Sequence, residues 1–123
     1  MKRVLLLSLL LIAPLYGQRG NRVSPPPQAS CSRDHLTSFT GGVAEYGRTR
    51  EVMRITVVTD WDTRERFTIR APFKMLLNGR PFQEEDWKQV ETSLSRLKPN
   101  IRVTLWVCDD GTQPLIDWNP VRE

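Results

Sequence analysis

Met53, Ile55 and Val57 alternate with Arg54, Thr56 and Val58, a period of two that predicts a strand over Glu51–Thr59. Asp60-Trp61-Asp62-Thr63 follows as a turn, and a second alternating run sets Phe67 and Ile69 against Arg66, Thr68 and Arg70 until Pro72 closes it. Upstream, Gly41 to Tyr46 predicts a shorter strand ended by Gly47. Downstream, Asn78-Gly79 between Leu76-Leu77 and Phe82 marks a tight turn, because both residues tolerate positive φ. The period then changes. Trp87, Val90, Leu94 and Leu97 share one helical face, which predicts a helix from Gln83 to Leu97. Glu84, Glu85 and Asp86 at its start and Arg96 and Lys98 at its end suit the helix dipole, and Pro99 ends it. Ile101, Val103, Leu105 and Val107 restore the period of two, Asp109-Asp110-Gly111 turns the chain, and Pro114 to Trp118 makes a last short strand.

Three strands, a helix and two strands are the element order of the OB-fold, so a mainly β, five-stranded OB-like barrel with one α-helix between strands 3 and 4 is expected over residues 31–123. A different α+β roll is the alternative. Gly41-Gly42 suits the sharp coiling of a barrel strand, and Trp87, Val90 and Leu94 would plug the barrel's base. From Leu76-Leu77-Asn78-Gly79 to Leu97-Lys98-Pro99-Asn100-Ile101-Arg102-Val103 the chain resembles small exported bacterial OB-fold domains of uncharacterised function. In those domains a segment of the form L-x-P-G-x-x-V leads into the fourth strand. Here Asn100 stands where glycine is usual, and asparagine also tolerates the left-handed conformation. The resemblance implies a fold and carries no catalytic residue with it.

Before this domain the pattern is of another kind. Lys2 and Arg3 precede a run of about 10 apolar residues, Pro14 breaks it, and Gly17 offers a small residue for cleavage, the layout of a secretory signal over residues 1–17. A membrane-spanning helix needs about 20 such residues, so no span is expected in the exported chain. Bulky Leu15 is ill suited to a cleavage site, which leaves an uncleaved tether as the alternative. Residues 18–30, with Pro25-Pro26-Pro27, read as an extended Pro-rich linker. Together these features place the protein outside the cell or in the periplasm. In such a compartment Cys31 and Cys108 are expected to pair rather than remain thiols or hold a metal, closing a loop of about 77 residues that contributes up to ~4.5 kcal/mol in the chain-entropy model. A domain of this size gains from such a staple because it buries only about 60–70% of its unfolded surface.

Charge changes the picture little. The chain has 18 basic and 14 acidic residues, but Lys2 and Arg3 fall in the signal, so the exported part carries only +2 against +4 for the whole. Attraction to a polyanion must come from where the charges sit, and nucleic acid ranks low among partners. His35 is the only histidine and has no nucleophile motif around it. Asp60-Trp61-Asp62-Thr63 superficially resembles the Asp-Gly-Asp-Thr signature of staphylococcal-type nucleases. Trp61 replaces the glycine, and Arg70-Ala71-Pro72 stands where the second acidic motif would follow. Neither an enzyme, nor a metal site, nor a cofactor is expected.

The pattern that carries chemistry lies on the polar sides of the strands. Arg54 and Thr56, Arg66, Thr68 and Arg70, and Arg102, Thr104 and Trp106 are expected to share an outward face, joined by Tyr46. Trp61 is expected in solvent on its turn, and packing at the barrel's ends is the alternative for Trp106, as for Trp118. Arginine forks with aromatic rings suit phosphate, sulfate or carboxylate groups. The expected ligand-binding residues are therefore Arg54, Arg66, Arg70, Arg102, Trp106 and Trp61. The expected function is an exported, non-enzymatic binding module for an anionic oligomer, glycan or protein segment. The alternative is a structural or stress-related envelope protein acting through protein contacts.

Overall fold

The computed structural model describes residues 25–120. The signal segment 1–17 and the linker residues 18–24 lie outside the described residues. The fold is mainly β with one short helix, as the alternation predicts, but it is not a closed five-stranded barrel. Nine strands are present among the described residues: β1 (Leu36–Arg48), β2 (Val52–Thr59), β3 (Arg64–Arg70), β4 (Lys74–Leu77), β5 (Arg80–Pro81), β6 (Glu91–Ser93), β7 (Arg96–Leu97), β8 (Arg102–Cys108) and β9 (Leu115–Asn119). Seven form one open sheet in the order β3-β2-β1-β8-β9-β4-β5, and β6 and β7 form a separate hairpin.

Strand β1 organises this sheet. Residues Leu36 to Gly42 pair antiparallel with β8, while Gly41 to Arg48 pair antiparallel with β2, so Gly41 and Gly42 belong to both ladders. A strand that changes partner must coil sharply, and at Gly41 the crossing leaves no space. A Cβ there would lie 2.0 Å from the Val58 carbonyl oxygen, a backbone atom that cannot step aside. Gly42 meets nothing within 4 Å. Two residues later a bulge at Ala44 shifts the register, so that Val43 and Tyr46 both face the core. This corrects the expectation that Tyr46 faces outward, since the bulge reverses the inside–outside parity.

The barrel fails to close because of Pro72, which ends β3 and has no N–H for a ladder. Two residues later the chain continues as β4 at the far side of the sheet, parallel to β9. No strand spans the gap between β3 and β9. A side chain does: Gln113, just before β9, accepts from the Arg70 N–H through Oε1 (2.6 Å) and donates through Nε2 to the Arg70 carbonyl.

The predicted helix over Gln83–Leu97 is also overturned. A 3-10 turn (Glu84–Asp86) leads into a single turn of helix, α1 (Trp87–Val90), and the chain then becomes the β6–β7 hairpin. Asp86 caps the start by accepting the Gln83 N–H at 2.8 Å. Ser95, with φ 68°, sits in the left-handed region at the hairpin tip, and Leu94 beside it is 57% exposed rather than plugging the sheet. The cause is Glu91. Its side chain, only 4% exposed, takes a bidentate pair of bonds from the Arg48 guanidinium (2.8 and 2.7 Å) and another from the Tyr46 hydroxyl. An extended backbone at Glu91 buries both it and its neighbour Val90, a burial that outweighs helix propensity.

The turn residues behave as their chemistry demands. Asn78 (φ 49°) and Gly79 (φ 82°) join β4 to β5, and Asn100 (φ 61°) adopts the left-handed conformation before β8. The core gathers Met53, Ile55, Val57, Ile69, Leu77, Val103, Leu105, Ile116 and Trp118 from five strands, with Val90 and Ile101 beneath. Cys31 and Cys108 form a disulfide with Cα atoms 5.9 Å apart, fastening the lead-in to β1 onto the end of β8.

The backbone clash at Gly41 predicts that Gly41→Ala destabilises the fold by about 3 kcal/mol or more, whereas Gly42→Ala stays within about 0.5 kcal/mol. Urea unfolding of the two variants side by side checks this, and equal midpoints would remove the crossing constraint.

Candidate functional site

The outer surface of β1, β2 and β3 is an open groove of about 410 Å³. Antiparallel pairing sets its residues in rungs. Glu45, Thr56 and Arg66 lie in one line across the three strands, and Gly47, Arg54 and Thr68 in the next. Gly47 leaves the floor of the second line open. Thr56 is buried and donates to Glu45 Oε1 at 2.9 Å, which draws that carboxylate toward β2. Val58 pairs with Arg64 and Val52 with Arg70, so the series is longer than the groove. Every rung of the β2–β3 ladder on this face carries one arginine: Arg64, Arg66, Arg54, then Arg70. All four are exposed, and among the described residues none of their guanidinium groups has an ion-pair or hydrogen-bond partner.

Three of the six residues expected to bind ligand, Arg54, Arg66 and Arg70, are thus brought together. The others are not. Arg102 is on the same side of the sheet, but its terminal nitrogen holds both oxygens of Asp60, at 2.9 and 2.7 Å. Trp106 is 6% exposed and packs with Leu76, Leu115 and Leu36, which makes it part of a second, small apolar cluster rather than a stacking platform. Thr104 beside it is likewise buried, bonded to Thr40 at 2.9 Å, and does not project into solvent. Trp106 is covered because β9 and β4 lie beyond β8, where Trp106 and Leu115 are directly opposed, whereas Arg102 and Thr104 are engaged from the β2–β3 turn and from β1. Trp61 is 88% exposed, as expected of its turn, but borders a different hollow with Phe39, Thr59 and Glu65.

Arg64 was legible as an extension of the Arg66/Thr68/Arg70 alternation. Glu45 was not, because its outward direction depends on the bulge at Ala44.

Behind the groove lies the one buried cluster of ionisable groups among the described residues. Tyr46, facing inward, meets Glu91, and Arg48 stacks its guanidinium 3.7 Å from the centre of the Trp87 ring. Burial, reinforced by the bond to Glu91 and its charge, raises the Tyr46 phenol far above its ordinary value. The same carboxylate raises Arg48 against the opposing effect of burial. These groups are saturated by one another and lock the hairpin to β1. Elsewhere, His35 pairs through Nδ1 with Asp109 at 3.0 Å in an exposed position. Backbone and side-chain bonds from Thr112 hold the Asp110 carboxyl below the usual range. Burial raises Asp117. Among the described residues no cluster of three histidine, cysteine or acidic side chains is placed to hold a metal ion.

No protein-family model, curated protein or solved structure matches the chain. Function has to be read from the geometry.

Because the folded phenol is raised, stability from the Tyr46 bond is fully present below about pH 10, where the unfolded phenol titrates, and is lost as pH rises beyond it. The chain contains two tyrosines. In a Tyr16→Phe chain, absorbance titration is therefore expected to show no phenolate near pH 10 while the fold persists. An ordinary titration curve from folded protein would contradict the buried Tyr46–Glu91 bond.

Proposed function

We propose that the domain is an exported binding module that holds an anionic chain along the outer face of β1, β2 and β3. The observation that carries this is the series of four arginines, one per rung, exposed and, among the described residues, free of ion pairs beside an open groove. Guanidinium groups bind phosphate, sulfate and carboxylate in a planar fork, and several in a row favour a ligand with repeated charges over a single small anion. Export is supported by the secretory pattern of residues 1–17 and by the disulfide. No helix among the described residues is long and apolar enough to cross a membrane.

The architecture fits the same proposal. β1, β2 and β3 form a meander, β8 pairs with β1, and β9 pairs with β8. This is an OB-like arrangement in which the third strand is broken at Pro72 into β3 and β4. In OB-folds the second and third strands supply the ligand face. Action through protein contacts alone is the second reading, favoured by Leu94, exposed at the hairpin tip beside Phe73, Met75 and Trp87.

The test is binding of the exported chain to single-stranded nucleic acid, a sulfated glycan and a neutral glycan at two salt concentrations. The anionic probes are expected to bind, more weakly at high salt. Arg54→Ala/Arg66→Ala should weaken them by about tenfold or more, while Arg102→Ala, whose side chain is engaged with Asp60, should have a smaller effect. Binding that ignores the double substitution would move the site off this face. No binding at all, with co-purification of a protein partner that depends on Leu94, would favour the second reading.

A further inference from the structure

We propose that β3 is a docking edge for an acidic extended peptide, which adds beside it as a further strand with a carboxylate at every second residue. This rests on the anion-binding reading of the same face and names the kind of ligand it takes.

Backbone direction comes first. The Ala71 N–H bonds the Glu51 carbonyl and the Thr59 N–H bonds the Thr63 carbonyl, so odd-numbered residues of this segment direct their backbone groups toward β2. Successive residues alternate, so the even-numbered ones direct N–H and C=O away from β2. β3 is the last strand of the sheet on that side. Among the described residues, Arg64, Arg66 and Thr68 therefore present unladdered donors and acceptors along an exposed edge. Arg70 has the same parity, and its two groups are the ones bonded by the Gln113 side-chain amide. That amide supplies one acceptor and one donor to a single residue, which is what a neighbouring peptide strand would supply. The first position along the edge is thus already filled by a peptide-like group, and the next three are open.

Side-chain direction follows from the same parity. Arg64 and Arg66 face the outer surface, and Arg54 lies across from Thr68, so each open position has a guanidinium on its rung. Same-face residues recur roughly every 7 Å along a strand, given a rise of about 3.4 Å per residue. An added strand has that spacing on its own outer face. Acids at alternate positions would therefore stand opposite Arg64, Arg66 and the Thr68–Arg54 rung within cross-strand reach. Glu45 is turned toward Thr56, Glu65 pairs with Val57 on the other face, and Asp60 is held by Arg102. Among the described residues no carboxylate forms an ion pair with the series.

The arrangement also selects against the obvious competitor. A second copy of β3 pairing edge to edge would bring arginine against arginine, a destabilising arrangement. Strand addition with an acidic sequence meets the opposite sign. Main-chain bonds would supply affinity and alternate side chains specificity, as in other β-augmentation complexes.

The experiment measures affinity of the full exported chain for four six-residue peptides. They are alternating Glu-Thr, alternating Gln-Thr, three Thr followed by three Glu, and alternating Glu-Thr with N-methyl groups along one edge. Each of the last three is expected to bind about tenfold or more weakly than the first. Thr68→Pro removes an outward N–H at an edge, where proline is tolerated, and leaves all four arginines in place. It should weaken the alternating acidic peptide but not a sulfated glycan, with folding checked by thermal unfolding. The N-methylated peptide tests the same bond without altering the protein. Equal binding of the N-methylated and block peptides, with Arg66→Ala weakening both, would overturn strand addition and leave the anion face standing. Failure of every peptide and of the glycan would overturn both.

Discussion

The sheet depends on β1 changing partners at Gly41. Each half of that strand has its own ladder, and the change is made where β2 passes so close that only a hydrogen fits at the α-carbon. The crossing coils the sheet and lets side chains from β2 and β3 meet those from β8 and β9 in a common core. It also determines what is outside. With the bulge at Ala44, it turns Val43 and Tyr46 inward and Glu45 outward. The floor of the groove is thus decided on β1, although its cations come from β2 and β3.

The second determinant is a charge in the core. Glu91 is buried with Arg48, and a buried pair is stable only where geometry and further hydrogen bonds offset the desolvation of both partners. Here the guanidinium fork is bidentate, Tyr46 donates a third bond, and Trp87 covers the cation. Such a pair adds little net stability over an apolar substitute, but it specifies structure. A Glu91 displaced by a helical backbone would leave Arg48 buried and alone, so the hairpin is the conformation that keeps both satisfied.

Local chemistry was legible and tertiary chemistry was not. The alternations of β2, β3 and β8, the Asn78-Gly79 turn and the left-handed Asn100 stand in the structure because neighbouring residues decide them, and the cysteine pair because an exported chain with two cysteines has one pairing to make. The helix failed because Trp87, Val90, Leu94 and Leu97 have helical spacing, while the deciding residue, Glu91, answers to Arg48 43 positions away. The site failed in the same manner. Alternation set Arg54, Arg66 and Arg70 on one outward face, where they are exposed, but an outward direction is not the same as exposure. Arg102 meets Asp60 and Trp106 meets Leu76 and Leu115 through a strand order that no local pattern contains.

The break at Pro72 connects fold and site. Were β3 continued by backbone pairing to β9, its edge would be covered and its arginines would flank a closed wall. Proline stops the strand, β4 departs, and Gln113 satisfies only the last residue before the break. The remaining edge is open, yet its outward side chains are arginine at two of three positions, with Arg54 supplying the third rung. Positive charge keeps such an edge soluble by repelling copies of itself. The same charge would be a poor defence against an acidic strand, so protection from self-association and selectivity for an acidic partner follow from one arrangement. Lysine would serve the first purpose equally well. The planar fork of arginine matters chiefly for the second, since it matches a carboxylate held at a fixed height above the sheet.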